Sequence, residues 1–114
     1  MKVMIVDDNK QVRRMIKSFV GDLVDEFVEC SDGCEVLDAF VAHRPDLVLM
    51  DYEMKRMNGF DATRQIVDQF PEARVVIVSQ WDSPSLRDAA KESGAMAYVN
   101  KKSLVPLRDI IEAG

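Results

Sequence analysis

Acidic, hydroxyl and amine side chains lie within two residues of the ends of four of the five apolar runs of this sequence. Asp7 and Asp8 come after the first run, Asp51 after the third, Ser79 after the fourth and Lys101 after the fifth. Three carboxylates in one crevice would raise one another's pKa unless a cation neutralised them. Mg²⁺ takes such oxygen ligands, so these residues predict magnesium-assisted chemistry on a phosphoryl group.

The chemistry of phosphoryl transfer suggests a role for three of these residues. Asp51 is the predicted nucleophile, because it ends the central and most hydrophobic run and a loop follows it. The oxygens of the transferring group need partners: Mg²⁺ can hold one, the Ser79 hydroxyl another and the Lys101 ammonium a third. Each residue alone has a simpler interpretation as a cap, turn or surface residue. The prediction therefore depends on the joint pattern.

Strands and helices must bring these side chains together. Short apolar runs alternate with amphipathic stretches and predict five strand–helix units with no linker or repeat. Such alternation gives a parallel sheet with helices on both faces, which binds ligands beyond the carboxyl ends of its strands. The predicted strands are Lys2–Val6, Glu26–Cys30, Leu47–Met50, Val75–Val78 and Ala97–Val99.

Capping residues and apolar spacing predict the helices. Asn9 is a predicted N-cap for the first helix, and Ser83 followed by Pro84 indicates the start of the fourth, which Gly94 ends. The second, third and fifth helices are predicted at Gly33–Arg44, Gly59–Phe70 and Pro106–Ala113. The inward residues of the first two helices are predicted to be Val12, Met15, Ile16, Phe19, Leu23, Val36, Leu37, Phe40 and Val41.

Composition predicts one soluble domain over residues 1–114, because 47% of the residues are hydrophobic and 31% are charged. No apolar run approaches the roughly 20 residues that cross a bilayer, so no membrane partner and a cytoplasmic location are expected. A net charge of −5 argues against nucleic-acid binding by this domain alone. Cys30 and Cys34 are predicted to be free thiols, since His43 is the one histidine available to complete a zinc site.

The sequence resembles the receiver domain of bacterial two-component response regulators over essentially its whole length. The matching segments are MIVDDN at the first strand end, DLVLMDYEMKRMNGFDATRQI around the third, VVIVSQWD at the fourth and AYVNKKS at the fifth. The resemblance implies an α/β, flavodoxin-like, doubly wound (βα)5 fold whose five parallel strands have the order 2-1-3-4-5. It also implies phosphorelay signal transduction by a phosphoprotein.

The resemblance implies a role for each matching residue. Asp51 matches the phosphoacceptor, Asp8 a direct metal ligand and Asp7 the acid that positions the ion through water. The implied ion is Mg²⁺, for which Mn²⁺ could substitute, and Asp51 and the backbone carbonyl of Glu53 would also bind it. The remaining matches are Ser79 as the switch hydroxyl, Tyr98 as the switch aromatic and Lys101 as the phosphate-binding lysine.

The implied mechanism is a switch. A histidine kinase, or a small donor such as acetyl phosphate, would phosphorylate Asp51, after which Ser79 would move toward the new oxygens and Tyr98 would turn inward. The face formed by the fourth helix, fifth strand and fifth helix would then change and bind an output domain or a target protein. A homodimer through the same face is a further option.

Five positions depart from the usual family pattern. Lys55 stands where Pro is common in the loop after the acceptor, and Gln80 where a small residue usually follows the switch hydroxyl. Trp81 is bulky enough to shield an acyl phosphate from water, and Glu53 adds a negative charge. These four residues are predicted to modulate the lifetime of the phosphorylated state. Lys102 replaces a Pro that a cis peptide often precedes, which leaves the isomer of this bond open.

Two alternatives to a phosphorylated switch remain. A pseudo-receiver would share the fold but act as an interaction module that is never phosphorylated. A phosphatase with an aspartyl nucleophile would be an enzyme, but such enzymes typically place two acids two residues apart, whereas Asp7 and Asp8 are adjacent. The chain is therefore predicted not to be an enzyme, apart from Mg-dependent self-phosphorylation and autodephosphorylation.

Overall fold

Five strands and five α-helices alternate along the chain in a computed structural model that describes all 114 residues. The strands are β1 (Lys2–Val6), β2 (Glu26–Cys30), β3 (Leu47–Asp51), β4 (Val75–Ser79) and β5 (Ala97–Asn100). The helices are α1 (Lys10–Val20), α2 (Val36–His43), α3 (Gly59–Gln69), α4 (Pro84–Ser93) and α5 (Val105–Ala113), with short 3₁₀ turns at Gly21–Leu23 and Gly33–Glu35.

The strands form one parallel sheet in the order β2-β1-β3-β4-β5, which confirms the predicted fold and strand order. The register pairs Val6 with Met50, Asp51 with Val78 and Ser79 with Asn100. The carboxyl ends of β1, β3, β4 and β5 therefore meet at one edge of the sheet. Strand order reverses between β1 and β3, where open sheets of this type bind ligands.

Alternate residues of each central strand enter two separate hydrophobic cores, because successive side chains point to opposite faces of a sheet. On one face Met4, Val48 and Ile77 pack with residues of α2, α3 and α4. On the other face Leu49 and Val76 pack with residues of α1 and α5. Burial on both faces accounts for the continuous apolar runs of β1, β3 and β4.

The helix ends confirm the capping predictions. Asn9 Oδ1 accepts hydrogen bonds from the backbone amides of residues 11 and 12, and Ser83 Oγ accepts one from the amide of residue 86. Gly94 ends α4 with φ of 103°, a backbone conformation that costs glycine little.

Three details of the sequence prediction are wrong. Met15 and Val41 were expected to face inward, but they are 42% and 51% exposed, because each lies at the margin of its helical apolar stripe. The second helix was expected from Gly33, but Gly33–Glu35 forms a 3₁₀ turn that the Asp32 side chain caps. β3, β4 and β5 each extend one residue further than predicted.

The backbone contains no cis peptide bond, so the peptide between Lys101 and Lys102 is trans. No helix combines the length and hydrophobicity that crossing a membrane would require.

Candidate functional site

The residues singled out in the sequence surround one cavity at the carboxyl edge of the sheet. Asp7 follows β1, Asp51 and Ser79 are the last residues of β3 and β4, and Lys101 follows β5. The cavity has a volume of about 320 Å³. Its lining residues are Asp7, Asp8, Asn9, Val12, Asp51, Glu53, Ser79, Gln80, Trp81 and Lys101.

Three carboxylates converge on the floor of this cavity. Asp7 and Asp51 are only 2% and 6% exposed, whereas Asp8 is exposed to solvent. One carboxylate oxygen from each of the three lies within 4.8 Å of the others. The structure thus brings together the three acids that the sequence predicted to meet.

The Lys101 ammonium bridges the two buried carboxylates. Its Nζ lies 2.9 Å from Asp51 Oδ1, to which it donates a hydrogen bond, and 2.9 Å from Asp7 Oδ2. Burial by itself lowers the pKa of Lys101, but the two carboxylates outweigh burial and raise it. Lys101 is therefore charged at neutral pH.

The environment of Asp51 raises its pKa to about 6. Burial is the main cause, and the neighbouring charges of Asp7 and Asp8 act in the same direction. The hydrogen bond from Lys101 opposes them without cancelling their effect. One ammonium group is thus insufficient to neutralise the cluster, and an added cation would favour the ionised form of Asp51.

The turn after β1 fixes the Asp7 carboxylate. Asp7 Oδ1 accepts the backbone N–H of Asn9 at 2.8 Å, and Arg13 Nη1 donates to the Asp7 carbonyl at 2.6 Å. Asp7 Oδ2 is fully buried and accepts no hydrogen bond of acceptable geometry, although Lys101 lies beside it. A buried carboxylate oxygen without a hydrogen bond is unfavourable, so this oxygen is a candidate acceptor for a cation-bound water.

Gly59 allows the loop after β3 to return close to Asp51. Its backbone N–H donates to the Tyr52 carbonyl at 2.8 Å, and Asn58 caps α3 immediately before it. A Cβ at Gly59 would lie 2.0 Å from the Asp51 carbonyl oxygen, so no other residue fits without a backbone shift. This turn carries Glu53, whose backbone carbonyl is the predicted third protein ligand of the cation.

The same loop is attached to the loop after β2 through Arg56. Arg56 Nε donates to Asp32 Oδ2 at 2.8 Å, and a second guanidinium nitrogen contacts the same oxygen. Arg56 has φ of 68°, a left-handed conformation that is unfavourable for a residue with a Cβ. A Cβ on Gly33 would lie 2.5 Å from the Met57 carbonyl oxygen, which shows how closely the two loops approach.

Asn100 positions Lys101, a role that the sequence analysis missed. Its Oδ1 accepts the backbone N–H of Lys102 at 2.8 Å, and its carbonyl accepts that of Ser103 at 3.0 Å. The Lys101 N–H donates to the Ser79 carbonyl at 2.8 Å. The sequence feature that could have indicated this role is the position of Asn100 at a strand end, where an Asn side chain commonly hydrogen-bonds to the backbone that follows it.

Three polar groups of Trp81 bond to three different parts of the site. Its backbone N–H donates to Ser79 Oγ at 3.1 Å, and its indole N–H donates to the Glu53 carboxylate. Its carbonyl accepts the Tyr98 hydroxyl at 2.5 Å. Nothing in the sequence indicated these contacts, because the three partners belong to three separate strand–loop segments.

Arg87 on α4 holds the Tyr98 ring from outside the cavity. Its guanidinium carbon lies 5.0 Å from the Tyr98 ring centroid, and it forms an ion pair with Asp82 at 2.8 Å. Tyr98 itself is half-buried and does not line the cavity. Of the predicted modulating residues, Gln80, Trp81 and Glu53 line the cavity, whereas Lys55 is exposed in the loop and does not.

A family comparison matches residues 3–112 to the response regulator receiver domain. The match covers almost the whole chain and agrees with the observed fold. The protein belongs to the receiver domain family of response regulators, which are components of two-component systems.

Full-length relatives carry this domain within longer proteins. The transcriptional regulatory protein YhcZ of Bacillus subtilis is 32% identical over 100 residues, which cover 86% of this chain and 47% of the relative. PdtaR of Mycobacterium tuberculosis, also a transcriptional regulatory protein, is 33% identical over 88% of this chain and 49% of its own length. A protein-glutamate methylesterase/protein-glutamine glutaminase of Syntrophus aciditrophicus is 33% identical over 98% of this chain and 35% of its length. The chain spans about half or less of these curated relatives.

Solved structures share the fold over nearly the whole chain. A LuxR-family two-component response regulator from Aurantimonas superposes with a TM-score of 0.86 at 27% identity, covering 98% of this chain and 85% of that one. The signal receiver domain of the response regulator NarL from Mycobacterium tuberculosis gives 0.84 at 26% identity, covering 99% and 97%.

Proposed function

We propose that this receiver domain is a phosphorylation-dependent switch that accepts a phosphoryl group on Asp51. The observation that carries the proposal is the position of Lys101 Nζ, 2.9 Å from both Asp51 and Asp7 at the floor of the cavity. An ammonium beside a buried carboxylate can bind an oxygen of an incoming phosphoryl group, and Ser79 lines the same cavity with a second donor.

A divalent cation, Mg²⁺ or Mn²⁺, fits the acidic side of this cavity. Asp7, Asp8 and Asp51 supply oxygens within 4.8 Å of one another, and buried Asp7 Oδ2 accepts no hydrogen bond. These three acids and the Glu53 backbone carbonyl would hold the cation, with Asp7 acting through water. When bound, the ion would neutralise the carboxylates and polarise the phosphoryl oxygens.

The proposed reaction is an in-line transfer. A carboxylate oxygen of ionised Asp51 attacks the phosphorus atom, and the bond from phosphorus to the donor breaks with its electron pair leaving on the donor. With a phosphohistidine donor the leaving group is the histidine imidazole, and with acetyl phosphate it is acetate. Later attack of water on phosphorus restores the Asp51 carboxylate and releases inorganic phosphate, so the protein is its own substrate rather than an enzyme acting on others.

Ser79 and Tyr98 would carry the change to the protein surface. Ser79 Oγ would donate to a phosphoryl oxygen, and the loop that bonds to it through Trp81 would follow. Because Tyr98 is attached to the Trp81 carbonyl, it would move with this loop. The α4–β5–α5 face would then bind a target or output domain more tightly. The gain in affinity would equal the preference of that partner for the phosphorylated over the unphosphorylated state.

The proposed partners are a histidine kinase that donates the phosphoryl group and an output domain or target protein that binds the α4–β5–α5 face. Both would act in the cytoplasm. A homodimer through the same face is a further candidate.

Mass spectrometry tests the proposal. The protein is incubated with acetyl phosphate, with Mg²⁺ or with EDTA, and its intact mass is measured. We expect one phosphoryl group to be added only with Mg²⁺, and none in Asp51→Asn. Asp68→Asn, which alters an exposed acid on α3, is the matched control and should behave as the parent.

A negative result is resolved with beryllofluoride, which mimics the phosphoryl group without needing transfer. If beryllofluoride with Mg²⁺ changed neither the fluorescence of Trp81, the single tryptophan, nor the thermal midpoint, the switch would be refuted. The alternative of a pseudo-receiver that acts as a phosphorylation-independent interaction module would then be favoured.

A further inference from the structure

The side chains of Glu53 and Trp81 form a hydrogen-bonded bridge beside the cavity. Glu53 belongs to the loop after β3 and Trp81 to the loop after β4, and both line the cavity above Asp51. The indole N–H of Trp81 donates to the Glu53 carboxylate. We call this pair the Glu53–Trp81 bridge.

The bridge links the loops after β3 and β4 and so bounds one side of the cavity opening. β3 and β4 are adjacent strands, with Asp51 paired to Val78, so their following loops begin side by side. The bridge joins these loops again further out, at a position two residues beyond Asp51 and two beyond Ser79. The α3–α4 side of the mouth is thereby bounded, and Asn9 and Val12 border the side nearer α1.

The loop that carries Trp81 is held independently of the bridge. The Trp81 backbone bonds to the Ser79 and Tyr98 hydroxyls, at 3.1 and 2.5 Å. Trp81 as a whole residue is nevertheless 51% exposed, so little packing holds its side chain in place. Loss of the Glu53 bond would therefore free the ring without unfolding the loop.

The size of the cavity limits what can enter while the bridge is formed. Its volume of about 320 Å³ is at the lower end of the range of small-molecule sites. A free phosphoramidate or acyl phosphate is small enough to reach Asp51. A phosphohistidine attached to a helix brings with it the surrounding surface, which would meet the projecting indole.

We propose that the Glu53–Trp81 bridge selects phosphodonors by size, admitting small free donors and hindering a phosphohistidine borne by a larger molecule until it opens. This inference rests on the proposed function, since it concerns access to Asp51. It makes Trp81 a specificity-determining residue and Glu53 the residue that positions it. Neither side chain is required for the transfer step itself, and the backbone carbonyl of Glu53 is retained in every variant.

A donor series of fixed P–N chemistry tests the inference. Phosphoramidate, phosphoimidazole and a helical peptide carrying one phosphohistidine are each reacted with the protein and Mg²⁺, and initial rates are measured by intact mass. The quantity compared is the ratio of the peptide rate to the phosphoramidate rate. Trp81→Ala should raise this ratio by about tenfold, because it removes the obstructing ring.

Variants at Glu53 distinguish the effect of its hydrogen bond to Trp81 from the effect of its negative charge. Glu53→Gln keeps an acceptor oxygen for the indole and should leave the ratio within about twofold of the parent. Glu53→Ala removes the acceptor and should raise the ratio to a value between those of the parent and Trp81→Ala. Circular dichroism and the urea midpoint of each variant confirm that it is folded.

The outcomes distinguish this inference from the proposed function. If Trp81→Ala changed the rates of all three donors by the same factor, size selection would be refuted while phosphorylation of Asp51 stood. If Glu53→Gln and Glu53→Ala raised the ratio equally, repulsion by charge rather than the bridge would be responsible. If no donor labelled the parent protein and beryllofluoride with Mg²⁺ also left its fluorescence and thermal midpoint unchanged, the proposed function itself would fail and the inference with it.

Discussion

The Tyr98 hydroxyl donates a hydrogen bond to the Trp81 carbonyl at 2.5 Å and so attaches β5 to the loop that follows β4. Trp81 is also bonded to Ser79 through its backbone N–H. Ser79, which lines the cavity, and Tyr98 on β5 are thus linked through Trp81. A displacement of Ser79 would therefore be transmitted to the Tyr98 side chain through these two hydrogen bonds.

Tyr98→Phe removes this hydrogen bond and retains the ring. We expect the free energy of unfolding to fall by about 0.5–1.5 kcal/mol, the net value of one such bond. Acrylamide should quench Trp81 fluorescence more strongly, because the loop has lost one of its attachments.

Tyr52→Phe is the control for Tyr98→Phe. Its ring packs against Phe60, with 4.6 Å between ring centroids, and its hydroxyl forms no hydrogen bond with Trp81. Quenching should therefore be unchanged in this variant. Equal quenching of Trp81 in Tyr98→Phe and the parent would contradict a restraining role for the Tyr98 hydroxyl.

Asp51→Asn should stabilise the metal-free protein in a pH-dependent way. The pKa of Asp51 is raised from 3.8 to about 6 in the folded protein, so the folded state holds this proton more tightly than the unfolded chain. The stabilisation associated with protonated Asp51 is complete below about pH 4 and is lost as the pH rises through about 6. Asn cannot ionise and avoids this loss.

Urea unfolding in EDTA measures the effect of Asp51→Asn. The variant should exceed the parent by on the order of 3 kcal/mol at pH 8 and match it near pH 4. Asp68→Asn should follow the parent at every pH. A gain for Asp51→Asn that did not vary between pH 4 and pH 8 would show that the pKa of Asp51 is not raised.

Gly59→Ala should be strongly destabilising. The added Cβ would meet the Asp51 carbonyl oxygen at 2.0 Å, and only a backbone shift can relieve this contact. We expect a loss of about 3 kcal/mol or more, measured by urea unfolding. The shift would also displace Asp51, so labelling by acetyl phosphate should slow.

Gly21→Ala is the matched substitution for Gly59→Ala. No atom lies within 4 Å of a Cβ at Gly21, and the backbone there is right-handed helical with φ of −59°. Alanine should stabilise the protein by about 0.4–1 kcal/mol at this position. Similar losses at both glycines would refute the close approach of Gly59 to Asp51.

Substitutions at Arg56 separate backbone strain from the ion pair with Asp32. Both Arg56→Ala and Arg56→Gly remove the ion pair, but only glycine relieves the left-handed conformation at φ of 68°. Arg56→Gly should therefore be more stable than Arg56→Ala by about 1 kcal/mol in urea unfolding. Equal stability would mean that the loop adopts another conformation once the arginine is removed.

The sequence predicted the elements of this fold because both apolar periodicity and capping are local signals. The apolar runs of β3 and β4 and the caps at Asn9 and Ser83 can each be recognised within a few residues. The exposure of Met15 could not be predicted in this way, because spacing defines a stripe but not how far the opposing surface extends across it.

The residues of the site were identifiable for a related reason. Parallel strands place their carboxyl ends at one edge, so the type of residue after each run is informative on its own. The contacts of Trp81 and the pairing of Arg56 with Asp32 depend instead on loop conformations. Those conformations follow from packing between loops that are distant in sequence.

The bond between Lys101 and Asp51 joins residues 50 positions apart, and Asp7 lies close to the other end of the chain. The cavity therefore exists only after β1, β3, β4 and β5 have all paired. Such non-local pairing is generally a slow part of folding, because it closes long loops. A partly folded or truncated chain would lack the complete set of groups that the proposed phosphorylation of Asp51 requires. Under the proposed function, only molecules whose sheet has assembled completely would accept a phosphoryl group.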